Sequence, residues 1–254
     1  MLAIALLMSL PAKAQVYSGN PILTGFHADP EVMYSNLTQR YYIYSTTDGV
    51  PGWGGWYFTV FSSDDLAHWR YDGICLNLPR DTRWASGNAW APAIEEKLVN
   101  GKYKYFFYYS GETGHGKAIG VATSDRPEGP FTDIGHPIVD RRPEGVRGGQ
   151  QIDVDVFTDP DTGKSYLYWG NGYMAGAELN ADMLSIKPEV WEALATTIKQ
   201  IDKNHLMTYH PRGRYTSARW WSKSRSYDSP AISWPVFLST FTSRLFSFVA
   251  ALKS

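Results

Sequence analysis

The chain has 254 residues, enough for one large all-β domain or two smaller units, and its 24 Lys plus Arg against 25 Asp plus Glu leave a net charge of −1. Near-neutrality removes the basic face that a nucleic-acid backbone requires, and the single cysteine, Cys75, removes any internal disulfide framework. Aromatics at 15%, with 10 Trp and 17 Tyr, serve β-sheet packing and also suit stacking on sugar rings, so a neutral polymer is the better-fitting partner.

Residues 2–10 form an apolar run too short to span a bilayer, followed by the small-x-small pattern Ala12-Lys13-Ala14. This predicts a signal peptide over residues 1–14 cut before Gln15, and hence a secreted or periplasmic protein with no membrane partner; a buried first strand is the competing reading. From Asn20 to Ile74 short β-runs alternate with turns. Within them, Trp53-Gly54-Gly55-Trp56 places two rings around a glycine pair, which suits either a sugar contact or a tight backbone approach. The triplet Asn36-Leu37-Thr38 has the form of a glycosylation sequon and is assigned no function.

A second set of strands begins at Asn88-Ala89-Trp90-Ala91-Pro92 and passes through Asn100-Gly101, a strong hairpin signal, into the aromatic run Tyr103 to Tyr109. Trp90 fits two places equally, a central mouth or a seal between sheets. Glu128, between Pro127 and Pro130, reads as part of a solvent-facing turn and not as a catalytic group. The third set runs from Gln151 to about Ile186, with strands expected at Tyr166 to Trp169 and Gly176 to Ala181. Its Asp159-Pro160-Asp161-Thr162-Gly163-Lys164 is read as a turn, because it lacks the terminal glutamate of a calcium loop. No metal or other cofactor is expected.

After Pro188 the pattern changes. Val190, Leu194, Ile198 and Ile201 recur at helical spacing, which predicts an amphipathic helix near 189–201. The division is therefore a β-domain over 15–188 and a helical or irregular segment over 189–254.

What unites the three sets is a beat: Asp29, Ala91 and Asp153 stand 62 residues apart, each in a short motif that precedes an aromatic strand. A self-similar unit of this length with three or four strands is the signature of a β-propeller blade, so the chain carries three blades. A fourth beat would fall at position 215, but residues 203–227 contain no Asp or Glu. Innermost strands converge on a propeller's central channel, so Asp29 and Asp153 are expected to face one pocket. Two such carboxylates suit glycosidic hydrolysis, in which one group activates water and a protonated one releases the leaving oxygen, roughly 6.5–9.5 Å apart in inverting enzymes.

Phe26-His27-Ala28-Asp29-Pro30, Asn88-Ala89-Trp90-Ala91-Pro92, Glu128-Gly129-Pro130-Phe131 and Ile152-Asp153-Val154-Asp155-Val156-Phe157 together resemble glycoside hydrolase family 43, over about residues 17–188. The resemblance implies a five-bladed propeller, here incomplete, and inverting action as an arabinofuranosidase or xylosidase on arabinose- or xylose-containing plant polysaccharides. By that match Asp29 corresponds to the general base and Asp153 to the aspartate that raises the general acid's pKa and orients it. Trp53, Trp56 and Trp90 are the candidate substrate-binding residues. The family's general acid, a glutamate on the next blade, has no counterpart: Glu178 and Glu189 are off the beat, and Asp155 is not a position the family uses. Residues 189–221 are similar instead to a fragment of a barrel-fold hydrolase of the family 140 type. An impaired hydrolase and an inactive propeller fragment that binds pentose polymers both remain open.

Overall fold

The computed structural model describes residues 21–143 and 146–187, so the predicted signal peptide and the helix near 189–201 lie outside the described residues. Within them the fold is all-β, in three antiparallel sheets taken in chain order. The first blade pairs β1 (His27–Ser35), β2 (Arg40–Thr47), β3 (Tyr57–Ser63) and β4 (Arg70–Asn77) in sequence. The second pairs β5 (Trp90–Val99), β6 (Lys102–Glu112), β7 (Lys117–Ser124) and the short β8 (Thr132–Asp133). The third pairs β9 (Asp155–Thr158), β10 (Ser165–Trp169) and β11 (Ala175–Glu178).

The expected strand from Gly176 to Ala181 is shorter than its apolar pattern suggested. β11 ends at Glu178, and the chain turns through Asn180 to Ser185 so that Ile186 bridges back to Leu179 and the Lys187 amide donates to the Glu178 carbonyl at 2.9 Å. The first blade also contains a 3-10 turn at Pro51–Trp53, where no helical element is expected from the sequence, and a one-turn helix α1 (Leu78–Asp81) leads out of it. The first begins on Pro51 and the second carries Pro79 in its first turn, where a fixed φ suits the helix, and the Asn77 side chain caps the second by accepting from the Arg80 amide at 3.2 Å.

The alternation of the central blade explains the stacking. Side chains of a strand point to opposite faces, so Tyr105, Phe107 and Tyr109 of β6 enter one core with Tyr42, Tyr44, Phe58 and Leu76 of the first blade. Phe106 and Tyr108 enter the other, with Val156, Leu167 and Trp169 of the third. Charged residues follow the same rule on β5. Glu96 reaches back to the first blade, where it accepts from the Ser35 hydroxyl at 2.9 Å and the Asn36 amide at 3.0 Å. Its neighbour Lys97 reaches forward and donates to the Ser165 hydroxyl at 3.0 Å.

Buried tyrosine hydroxyls supply further ties between blades. Tyr44 donates to the Pro127 carbonyl at 2.5 Å, and Tyr108, at the matching place one blade later, donates to the Met183 carbonyl at 2.7 Å. The first of these docks the Arg126 to Phe131 turn onto the first blade. Glu128 within that turn is half-buried and paired with Arg126, a less solvent-facing place than its proline setting implied, because Phe131 is drawn into the core and its amide donates to the Cys75 carbonyl at 3.0 Å. The Asn36 side-chain amide is committed to Glu96 at 2.7 Å, so the sequon's acceptor nitrogen belongs to a contact between blades.

Candidate active site

The three beat residues share a backbone conformation that the sequence did not announce. Asp29, Ala91 and Asp153 all lie in the left-handed region, with φ of 47°, 41° and 58°, a region that costs a residue bearing a Cβ and persists only where the surroundings enforce it. In the first two blades the beat falls in a bulge, between the paired residues Ala28 and Glu31 in β1 and between Trp90 and Ala93 in β5. A bulge re-aims the side chain at its apex. In the third blade regular pairing begins two residues later, at Asp155, but the Ile152 carbonyl is held by the Gly170 amide at 2.8 Å.

Asp29 is exposed, and its carboxylate accepts from the Thr46 hydroxyl at 3.4 Å. The preceding amide, Ala28, donates to the Asp48 carboxylate at 2.7 Å. His27 is fixed on both ring nitrogens. The Thr24 carbonyl can only accept, so Nε2 carries a proton, and Nδ1 is hydrogen-bonded to the Ser45 hydroxyl at 3.1 Å.

Asp153 accepts from the Asn171 side chain at 3.3 Å. Its pKa is raised, first by partial desolvation and further by the negative charge of Asp29, against the lowering effect of Asn171. The charge of Asp29 thus reaches a carboxyl 124 positions away in sequence.

The tryptophans are arranged around a backbone carbonyl. The Trp53 carbonyl accepts from the Trp90 indole at 2.8 Å and from the Asn88 side chain at 3.0 Å, so the loop carrying Trp53 is clamped to the second blade. The Trp53 ring itself is 88% exposed. Trp90 is half-buried, with the Lys117 ammonium 4.3 Å from its ring centroid; that ammonium also pairs with Glu112 at 2.5 Å and with Asn88. The Trp90 indole thereby joins the Trp53 loop to the second blade, one residue before the beat. The glycine pair is explained by backbone approach at Gly55, where an added Cβ would lie 2.5 Å from the Thr47 carbonyl oxygen. Trp56 is half-exposed with its ring against Gly87.

Four described glutamates are committed elsewhere. Glu178 is held by Lys187 at 2.5 Å and Lys164 at 3.6 Å, which lowers its pKa, the opposite of what an acid catalyst needs. Glu112 and Glu128 are bound by Lys117 and Arg126, and Glu96 by the link to Ser35. The Asp159 carboxylate closes its own turn, accepting from the Asp161 amide at 2.9 Å and the Thr162 hydroxyl at 2.8 Å. Among the described residues no cluster of metal-ligating side chains is present.

Thr46, Asn171 and Lys117 were not legible as site residues. One signal was available for the first. Each aromatic strand ends on a small residue in the same register, as Tyr44-Ser45-Thr46, Tyr108-Tyr109-Ser110 and Tyr168-Trp169-Gly170.

Three consecutive blades, with beat aspartates at matching left-handed positions of the first and third, define an incomplete β-propeller of the glycosidase type. The chain belongs to glycosyl hydrolases family 43, whose family model matches residues 18–210, past the point where the beat stops. A β-D-galactofuranosidase of Aspergillus niger is 36% identical over 185 residues, which cover 69% of this chain and 52% of that protein. An arabinoxylan arabinofuranohydrolase of Bacillus subtilis is 41% identical over 123 residues, 44% of this chain and 23% of that protein. Among solved structures, a family 43 arabinoxylan arabinofuranohydrolase from Bacillus subtilis superposes with a TM-score of 0.54 at 29% identity, covering 66% of this chain and 41% of that one. A family 43 enzyme from Xanthomonas citri complexed with xylose gives 0.54 at 26% identity, covering 65% and 55%. The chain thus spans about half, or less, of the length of these relatives.

Proposed function

We propose that this chain carries the water-activating side of an inverting glycosidase site of the arabinofuranosidase or xylosidase kind, directed at arabinose- or xylose-containing plant polysaccharides outside the cell. The observation that carries this reading is the coupling of Asp29 to Asp153 at matching left-handed positions two blades apart. In it, Asp29 takes a proton from the attacking water as general base. Asp153 tunes and orients the acid, and Trp53, Trp56 and Trp90 offer apolar faces to the sugar. The names of the relatives, which include an arabinoxylan arabinofuranohydrolase and a xylosidase/arabinosidase, support the substrate class. Export rests on the apolar run and cleavage pattern of residues 1–14.

The ion-paired states of Glu178, Glu112 and Glu128 favour a second reading, in which these blades bind pentose polymers without cleaving them. One experiment separates the two. A nitrophenolate leaves with little proton donation whereas a sugar alkoxide needs a great deal, so loss of a general acid, about 10²–10⁴-fold in rate, falls mainly on natural substrate. Weak cleavage of a nitrophenyl arabinofuranoside or xyloside, with arabinoxylan left intact, is expected, and Asp29→Asn abolishes it. Full activity on polymer that Glu178→Gln removes would overturn the assignment. Binding of polymer without cleavage of either substrate selects the second reading.

A further inference from the structure

The Thr46 hydroxyl stands between two beats. It is buried at the end of β2, accepts from the Ala91 amide of the second blade at 2.9 Å, and lies 3.4 Å from the Asp29 carboxylate of the first. An ionised carboxylate can only accept, and the Ala91 N–H can only donate, so the direction of both bonds is set: the amide fills a lone pair of Oγ1 and leaves the hydroxyl proton for Asp29. The outer bond is long for an O–H···O contact.

The repeat supplies an internal comparison. Ser110 holds the register of Thr46 in the second blade, since Thr46 pairs with Ala28 and Ser110 with Trp90, each one residue before a beat. There the beat residue is Ala91, which has no carboxylate, and the buried Ser110 Oγ finds no hydrogen-bond partner among the described residues. In the third blade the register is occupied by Gly170, and Asp153 takes its bond from Asn171 instead. Only in the first blade do a strand-end hydroxyl and a beat carboxylate meet.

We propose that Thr46 is a positioning residue for Asp29, fixing the rotamer of the carboxylate and tying it to the backbone of the neighbouring blade through the Ala91 amide. This arrangement gives the left-handed Ala91 a purpose. Its strained backbone points an N–H at the one hydroxyl that serves the aspartate on the next blade. For its catalytic consequence the inference rests on the reading of Asp29 as base.

The test uses the full chain with Thr46→Val, which keeps the shape and removes the hydroxyl, and Thr46→Ser, which keeps the hydroxyl. Three-bond couplings measured by NMR should show one χ1 rotamer for Asp29 in the native chain and in Thr46→Ser, and rotamer averaging in Thr46→Val. This readout needs no activity and no second variant to interpret it, because averaging in the native chain already overturns the proposal, as does an unchanged single rotamer in Thr46→Val. On the nitrophenyl glycoside, Thr46→Val should lower kcat about tenfold at constant KM, with Thr46→Ser restoring it. If Asp29→Asn keeps the native rate, the base reading fails. If Asp29→Asn loses the rate while Thr46→Val keeps it, the positioning role alone fails.

Discussion

Asp29 and Asp153 hold the same left-handed backbone two blades apart, and the charge of the first adds to desolvation in raising the pKa of the second. That relationship has a consequence for stability. A carboxyl whose folded pKa lies above its unfolded value of 3.8 binds its proton more tightly in the fold, so its contribution is present at low pH and is lost as pH rises through the folded pKa. Asp153→Asn should therefore raise Tm at pH 7, by less than about 1 kcal/mol in stability because water screens an exposed group. The gap to the native chain should close as pH is lowered toward 4. A lower Tm for the variant at pH 7 would show that the Asn171 bond outweighs desolvation and repulsion.

The tyrosine ties between blades make a second prediction. Tyr44→Phe leaves the Pro127 carbonyl without its hydroxyl partner, and Tyr108→Phe does the same to Met183. Each unpaired buried acceptor costs about 1–3 kcal/mol. The two contacts lie in different blade interfaces, so the double variant should show the sum of the two losses to within about 0.5 kcal/mol. Urea midpoints measure this, and a marked shortfall from additivity would mean that the blades do not unfold as one unit.

The parts of the fold legible in the sequence were those with a period. The 62-residue beat located the blades, the two-residue alternation of Tyr105 to Tyr109 assigned its side chains to opposite faces, and Asn100-Gly101 formed its turn with both residues at positive φ, 51° and 76°. The illegible parts depend on groups that residue type does not encode. The acceptor that clamps Trp53 over the second blade is a backbone carbonyl, and every residue has one. Thr46 differs from Thr47 only in which face of β2 it occupies and what the next blade presents there. The end of β11 was missed because Leu179 continues the apolar pattern while the chain has already turned toward Ile186.

The glycine pair gives a third prediction that separates space from backbone strain. An alanine at Gly55 would press its Cβ to 2.5 Å from the Thr47 carbonyl oxygen, next to Thr46, so the strand end must shift. An alanine at Gly52 meets nothing within 4 Å but must adopt φ of 81°. Gly55→Ala should cost about 1–3 kcal/mol as overpacking and should also disturb the Asp29 resonances in an NMR spectrum. Gly52→Ala should cost about 1–2 kcal/mol and leave those resonances in place. Equal spectral disturbance by both would indicate that the loop, and not the Thr47 contact, governs the mouth.

Glu178 supplies the last prediction, in which stability and activity are expected to part. Lys187 at 2.5 Å and Lys164 at 3.6 Å hold its carboxyl below the usual 4.5, and its side chain is only 13% exposed. A lowered folded pKa means that the pairs stabilise the fold above the unfolded pKa, and that this contribution is lost as pH falls through the folded pKa. Replacement by glutamine keeps the shape, removes the charge and leaves two ammonium groups beside a neutral amide. Glu178→Gln should therefore lower stability at pH 7 by about 1 kcal/mol, with the difference from the native chain vanishing below the carboxylate range. The Lys187 pair also ties β11 to the returning segment at Ile186 and Lys187, so the loss should appear first as faster hydrogen exchange at the Lys187 amide. Cleavage of an activated aryl glycoside should be unchanged in the same variant, because that leaving group needs little proton donation, and any residual activity on polymer should be unchanged too, because an ion-paired carboxylate has no proton to give. A variant as stable as the native chain that loses activity on polymer while keeping it on the aryl glycoside would move the missing acid to Glu178 and displace the ion pair from a structural to a catalytic account.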